Sequence, residues 1–273
     1  SVPDFYYEAF RKIVGEGKKF IPISVGTQAP DYKVDFNYHP QTLQLLQEIS
    51  EQAVIACRGY YTADLLYRNH IKNIEVIGCP SLFHQRDPNF KIIKKPKLLE
   101  DAFISTGLTP WPNKNMSLKI IQDFLGFVIK NNLDFVEQAN TNWMNTVFKT
   151  NEALKEKFQK HFKAKGKIFF NINEWRNYAK KLAFSFSGRF HGNIIPLLEG
   201  VPCLFITIDA RTTEMCEYFN LPNIGINDFE VSFTLDELYQ QADYSKFNNS
   251  YKLLYEKFEL FSKKNNIQIN HFN

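Results

Sequence analysis

With 273 residues, 44% of them apolar and 26 Phe and 13 Tyr among them, the chain can build one large core or two smaller ones, which excludes a disordered polypeptide. A net charge of +4 does not mark a nucleic-acid binder, yet it suits approach to phosphates or to an anionic membrane surface. No segment offers the ~20 uninterrupted apolar residues that span a bilayer; the best, Ile194 to Ile208, is broken by Glu199, Gly200 and two prolines.

The chain opens on SVPDFYYEAF, which has neither an initiator Met nor a signal-peptide pattern, so its start reads as trimmed. KFIPISVG (19–26) then reads as a strand, HPQTLQLLQEISEQ (39–52) as a helix with Leu43, Leu46 and Ile49 on one face, and AVIACR (53–58) as a strand. YYTADLLYRNH (60–70) reads as a helix and IEVIG (74–78) as a strand that ends on CPS. This βαβαβ order predicts a parallel sheet with helical crossovers.

The basic, two-proline stretch from His84 to Lys97 predicts a connection, and with it two domains, 1–95 and 96–273. A second alternation follows it. AFISTG (102–107) is strand-like, NMSLKIIQDFLGFVIKNN (115–132) is a helix with Leu118, Ile121, Leu125 and Val128 on one face, and LDFVEQ (133–138) is a strand. Helices are expected over most of Asn140 to Lys163, then a strand at KIFFNI and a short helix at NINEWRNYAKKL with the Asn171/Glu174 offset of a capping box. Thr234 and Glu237 repeat that offset, and Phe247, Tyr251, Leu254, Phe258 and Phe261 form a helical stripe near the end. Cys57, Cys79, Cys203 and Cys216 lack any metal-ligand spacing and read as small core residues in a reducing cytoplasm.

The chemistry gathers in FSFSGRFHGNIIPLLEG (184–200). An inner parallel strand over Leu182 to Ser187 should hand over through RFHG to a helix that starts within two residues of Gly192, tolerates Pro196 early and stops at Gly200. A turn at the carboxyl edge of such a sheet, beside the free N–H groups of a helix start, attracts an anion. Arg189 carries a permanent charge in a fork suited to phosphate or carboxylate, and His191 can donate a hydrogen bond or move a proton near neutral pH. Gly192 clears space for a ligand oxygen near the Gly192 and Asn193 amides, while Phe190 turns into packing. By spacing alone, Arg189 equally pairs with an acid and His191 equally serves backbone groups.

Three further positions keep two readings each. Arg58 ends its strand on the same kind of edge, with a surface salt bridge as the rival role. Asp209 orients Arg211 or acts as a base, or else it caps the next helix. Ser81, after GCP, donates to phosphate or shapes a turn.

SGRFHGNIIPLLEGVPCLFITIDARTTEM (187–215) resembles the S-x-R-x-H-G, G-V-P and Asp-x-Lys pattern of the polysaccharide pyruvyl transferase family. PISVGTQAP, followed by AVIACRGYYTADLLYRNHIKNIEVIGCPSLF, resembles that family's earlier blocks in the same order. The resemblance implies an α/β fold of two Rossmann-like lobes, GT-B-like, facing a cleft. It implies transfer of pyruvyl from phosphoenolpyruvate onto two hydroxyls of a sugar as a ketal, with no metal and no cofactor beyond that co-substrate. By position, Arg189 and His191 would hold and protonate the donor and Arg58 would come from the opposite lobe. The last helix of GT-B proteins commonly returns to the first lobe, so the carboxyl-terminal stripe is expected close to the junction.

The sequence departs from the family pattern in places. Gly59 stands where the family often has Asp, Thr62 stands for Ser, and Arg211 stands for Lys with its charge kept. The Gly-Asp-containing N-terminal strand and loop is absent, which implies a fragment or an abbreviated first lobe. The implied acceptor is a sugar of a polysaccharide or glycan precursor, lipid-linked precursors included, met in the cytoplasm or by peripheral contact at the inner membrane face. Two other functions fit the same architecture. One is a nucleotide-sugar-dependent glycosyltransferase, whose ribose acid would be Glu214, a residue nothing in the sequence positions; the other is a non-catalytic sugar-phosphate module. In the favoured reading Arg189→Ala abolishes turnover and leaves the melting temperature little changed.

Overall fold

The computed structural model describes residues 4–18, 20–33, 36–108, 116–138 and 141–269. Helices α1 (Asp4–Gly15) and α2 (Pro40–Gln52) precede β1 (Ile55–Cys57), α3 (Tyr60–Arg68) and β2 (Ile74–Val76). Pro40 opens α2 where a missing N–H costs nothing, and the His39 ring accepts the Gln41 N–H. β1 and β2 pair in parallel, Ile55 opposite Ile74, over a core that includes Leu45, Ile49, Ile55 and Leu66.

The strand expected over 19–26 is not formed. It is reduced to a bridge between Val25 and Cys57, because Ser24 adopts the left-handed region at φ 65° and interrupts the extended ladder. The segment still follows β1, with Ala56 N–H on Pro22 O, Val25 N–H on Ala56 O and Arg58 N–H on Val25 O. Lys19 lies outside the described residues.

The chain continues through β3 (Ile104–Gly107), α4 (Leu118–Lys130), β4 (Asp134–Glu137), α5 (Trp143–Val147), α6 (Glu152–Lys165) and β5 (Gly166–Ile168). Next come α7 (Ile172–Ala179), β6 (Phe184–Ser187), α8 (Phe190–Leu198), β7 (Cys203–Thr207), α9 (Ala210–Phe219), β8 (Asn223–Gly225), α10 (Leu235–Gln241) and α11 (Ser245–Lys264). β3 to β8 form a parallel sheet in the order β5-β4-β3-β6-β7-β8. β6 is internal, as its sequence predicts, and its alternation has a physical use. Phe184 and Phe186 are fully buried on one face, where Phe186 meets Phe124, Phe127 and Phe229. Ser185 turns to the other face, where its small hydroxyl bonds to Asn193 and lets α8 pack close.

Two compact units emerge. One comprises Ser1–Asn89, Asp209–Phe219 and Ser250–Asn273; the other comprises Phe90–Ile208 and Asn220–Asn249. In the first, Ala210 N–H donates to Ala29 O, the Tyr218 hydroxyl donates to Val76 O, and Phe83 stacks on Phe258. In the second, α8 begins at Phe190 and Gly200 closes it at φ 81°. Pro196 therefore falls in the last turn of α8 rather than early in it, where it helps to end the helix. Thr234 and Glu237 form the reciprocal capping box, and Asn171 caps α7. The four cysteines are buried thiols that form no disulfide. Among the described residues no helix is long and apolar enough to cross a membrane.

Candidate functional site

In the second unit the RFHG turn lies where β6 hands over to α8. Arg189 is the N-cap residue; Phe190 is buried against Phe205, and His191 is exposed on the first turn. The Arg189 N–H donates to Ser187 Oγ at 3.0 Å, and that hydroxyl donates to Gly107 O at 3.0 Å, which ties the turn to β3. The guanidinium has protein partners of its own. Nη2 lies 3.2 Å from Glu137 Oε1 and Nε donates to Leu108 O at 3.3 Å. Glu137 is wholly buried at the end of β4, where it also accepts from Trp143 Nε1 and from the Gln138 N–H, both at 2.8 Å. Burial lowers the Arg189 pKa, and the Glu137 charge acts against that.

Arg189 thus does pair with an acid, while 16% of its side chain stays exposed. Gly192 is needed for space: a Cβ there would come within 2.5 Å of Gln138 Nε2 and 2.9 Å of Ser187 Oγ. Its N–H is used by Arg189 O at 2.9 Å. Gln138 Nε2 is buried without a hydrogen-bond partner among the described residues, a donor beside the helix start that sequence reasoning missed. Asn193 is fully buried, and its side chain joins Ser185 Oγ to Leu204 O, so it ties β6 to β7.

In the first unit Arg58 follows β1 and Arg211 lies in the first turn of α9. A Cβ at Gly26 would approach Arg58 Cδ to 2.7 Å and Arg211 Cγ to 3.3 Å, so a glycine lets both arginine stems pass the same backbone. Arg58 Nε donates to Ser24 O at 2.8 Å and to Ser24 Oγ at 2.9 Å, which fixes Ser24 in its left-handed conformation. Burial lowers the Arg58 pKa, the Cys79 thiol pulls it up, and the charge of Arg211 lowers it again. Arg211 Nε is buried without a partner among the described residues, and its Nη2 lies 3.5 Å from Asp209 Oδ2. Two neighbouring cations and an unused donor form an arrangement whose charge and N–H groups suit an anion.

Asp209 also caps α9, its Oδ1 accepting the Thr212 N–H at 2.8 Å, while its Oδ2 is the atom beside Arg211. Ser81 lies in a short 3₁₀ turn, Pro80–Phe83, with Oγ 3.0 Å from Cys79 Sγ. Among the described residues no cluster of His, Cys, Asp and Glu could hold a metal ion.

Glu214, unplaced by the sequence, is firmly held. Its carboxylate is buried and accepts the Thr62 N–H at 2.9 Å and the Thr62 hydroxyl at 2.7 Å. A Cβ at Gly59 would meet Glu214 Cβ at 2.6 Å. The two departures at 59 and 62 therefore serve one arrangement: Gly59 makes room for Glu214, and Thr62 bonds it. The available signal was that Glu214 follows Arg211 by three residues on a helix and so shares its face.

Burial raises the Glu214 pKa above its ordinary 4.5, against the Thr62 hydrogen bonds. A carboxyl with a raised folded pKa binds its proton more tightly when folded, so the stability contributed by this group is fully present below about 4.5 and is lost as pH rises through the folded pKa. Glu214→Gln keeps an acceptor for the Thr62 N–H and lets the hydroxyl accept from the new amide. Thermal melts across pH should show the variant losing less stability than the parent over that rise, with a gain of about 1 kcal/mol at neutral pH.

Residues 4–210 match the family model for polysaccharide pyruvyl transferase. Among solved structures, the S. aureus MnaA–UDP co-structure is 15% identical with a TM-score of 0.51, over 96% of this chain and 72% of that one. A Listeria monocytogenes protein assigned as a UDP-N-acetylglucosamine 2-epimerase is 14% identical with a TM-score of 0.50, over 96% and 71%. At these identities the likeness establishes the fold, a GT-B-like parallel α/β architecture. No curated protein matches the chain. The family match spans most of the chain and contains both the Arg58 segment and the RFHG turn, so the chain belongs to the polysaccharide pyruvyl transferase family, a family of transferases.

Proposed function

We propose that the protein moves pyruvyl from phosphoenolpyruvate onto a sugar of a polysaccharide or glycan precursor and forms a ketal. The observation that carries this reading is the family match over residues 4–210, with the SGRFHG segment inside it. Phosphoenolpyruvate bears a phosphate and a carboxylate, and each unit has a cationic site suited to such groups. In the first unit, Arg58 and Arg211 lie side by side with one buried N–H that has no partner among the described residues. In the second, the part-exposed Arg189 fork, the Gln138 amide and His191 gather at the start of α8.

The chemistry balances without a further reactant. A sugar hydroxyl attacks C2 as C3 takes a proton and becomes the methyl group; phosphate leaves C2, and the second hydroxyl closes the ketal. Of the two hydroxyl protons, one is made good on C3 and the other leaves with inorganic phosphate. His191 is assigned as the acid toward C3 or as a donor to phosphate, and Asp209 as the residue that orients Arg211.

The test is a donor screen in which phosphoenolpyruvate and UDP-sugars are compared by calorimetry, by phosphate release and by NMR detection of a ketal methyl. Phosphoenolpyruvate binding with phosphate release supports the reading. Failure of phosphoenolpyruvate to bind the folded chain, together with binding and hydrolysis of a UDP-sugar, overturns it.

A further inference from the structure

At the amino-terminal edge of the six-stranded sheet, the end away from the RFHG turn, residues 91–99 run past the entries to β6 and β7. Their backbone is held at several points. Ile92 exchanges two hydrogen bonds with the Asn248 side chain, both at 2.9 Å; Lys95 O accepts the Tyr239 hydroxyl at 3.0 Å, and Pro96 O accepts Gln240 Nε2 at 3.0 Å. Ile92 is buried, whereas other side chains of the segment are left outward. Ile93 is 87% exposed and Leu99 62% exposed, with Lys95 and Lys97 exposed between them.

Here a cavity of about 310 Å³ opens, lined by Lys95, Lys97 and Lys181 together with Leu99, Val201 and Pro202. None of these three lysines has a carboxylate partner among the described residues, whereas Glu199, the acid of the lining, is held by Arg176 and Lys180. Unpaired ammonium groups beside large exposed aliphatic side chains, on a fixed backbone, match one kind of surface. Anionic headgroups satisfy the lysines, and the acyl boundary takes the aliphatic groups. A free phosphate would use the lysines and leave Ile93 and Leu99 in water.

We propose that this edge of the second unit docks on an anionic lipid bilayer through Ile93, Leu99, Lys95, Lys97 and Lys181. The test is co-sedimentation of the full chain with phosphatidylcholine vesicles, with and without phosphatidylglycerol. Binding is expected only to the anionic vesicles. Replacing the three lysines by Ala should weaken it on the order of 100-fold, from the contribution of each lysine near a charged surface. Ile93→Ser with Leu99→Ser should weaken it at unchanged charge; all five positions but the cavity-lining stems are solvent-facing, and melts will verify that the variants fold. Equal binding to both vesicle types, no binding, or complete competition by inorganic phosphate with no effect of the aliphatic pair would overturn the proposal, the last by reducing the patch to a free-anion site.

Discussion

Arg58→Ala is expected to lower kcat/KM for phosphoenolpyruvate on the order of 100-fold while moving the melting temperature by only a few degrees. The activity loss follows from removing a charge-assisted contact from a partly buried anion site, which costs about 3 kcal/mol. The small stability change follows from the surroundings. The Arg58 donors that are satisfied go to Ser24, a neighbouring cation, Arg211, repels it, and burial already disfavours its charge. Removing it therefore frees Ser24 and relieves Arg211 at once, two effects of opposite sign. Initial rates of phosphate release and a thermal melt measure the two quantities. Arg58→Lys should keep much of the binding but less of the rate, because a single ammonium cannot hold Ser24 and an anion in one geometry. An unchanged rate with a clearly lower melting temperature would make Arg58 a structural residue.

What was legible in the sequence was local. The α2-β1-α3-β2 order and the internal position of β6 follow from apolar runs of strand length between amphipathic stretches, and the family blocks are short contiguous motifs. What escaped was set by partners distant along the chain or by single backbone angles. Pro22 and the left-handed Ser24 reduce an apolar, strand-like segment to one bridge, and no hydrophobic pattern carries that information. The start of α8 at Phe190 falls within two residues of Gly192 as expected, and only the packing partner of Phe190, Phe205, lies beyond the reach of the local pattern. Nothing local to Asn193 shows that its buried side chain bonds both β6 and β7. Glu214 could be placed only once Thr62, 152 residues away, was seen beside it.

The same distance effect changes the expectation for Arg189, whose partner Glu137 lies 52 residues earlier in a fully buried strand. Arg189→Ala is expected to abolish measurable turnover and, unlike Arg58→Ala, to lower the melting temperature on the order of 10 °C. Truncation leaves the Glu137 carboxylate buried without its cation, at a cost of about 3 kcal/mol; the Trp143 and Gln138 donors that remain keep the loss near the lower end for such pairs. It also frees Leu108 O from the Nε contact that helps to hold β3 to the turn. Arg189→Lys separates the two roles. A lysine ammonium can still face Glu137 and should recover more than half of the lost melting temperature, but it lacks the planar fork that reaches the carboxylate, Leu108 O and a ligand together. Turnover should therefore stay low in the lysine variant. If Arg189→Lys restores turnover in step with the melting temperature, the guanidinium acts through Glu137 and the fold alone, and the donor contact assigned to it falls.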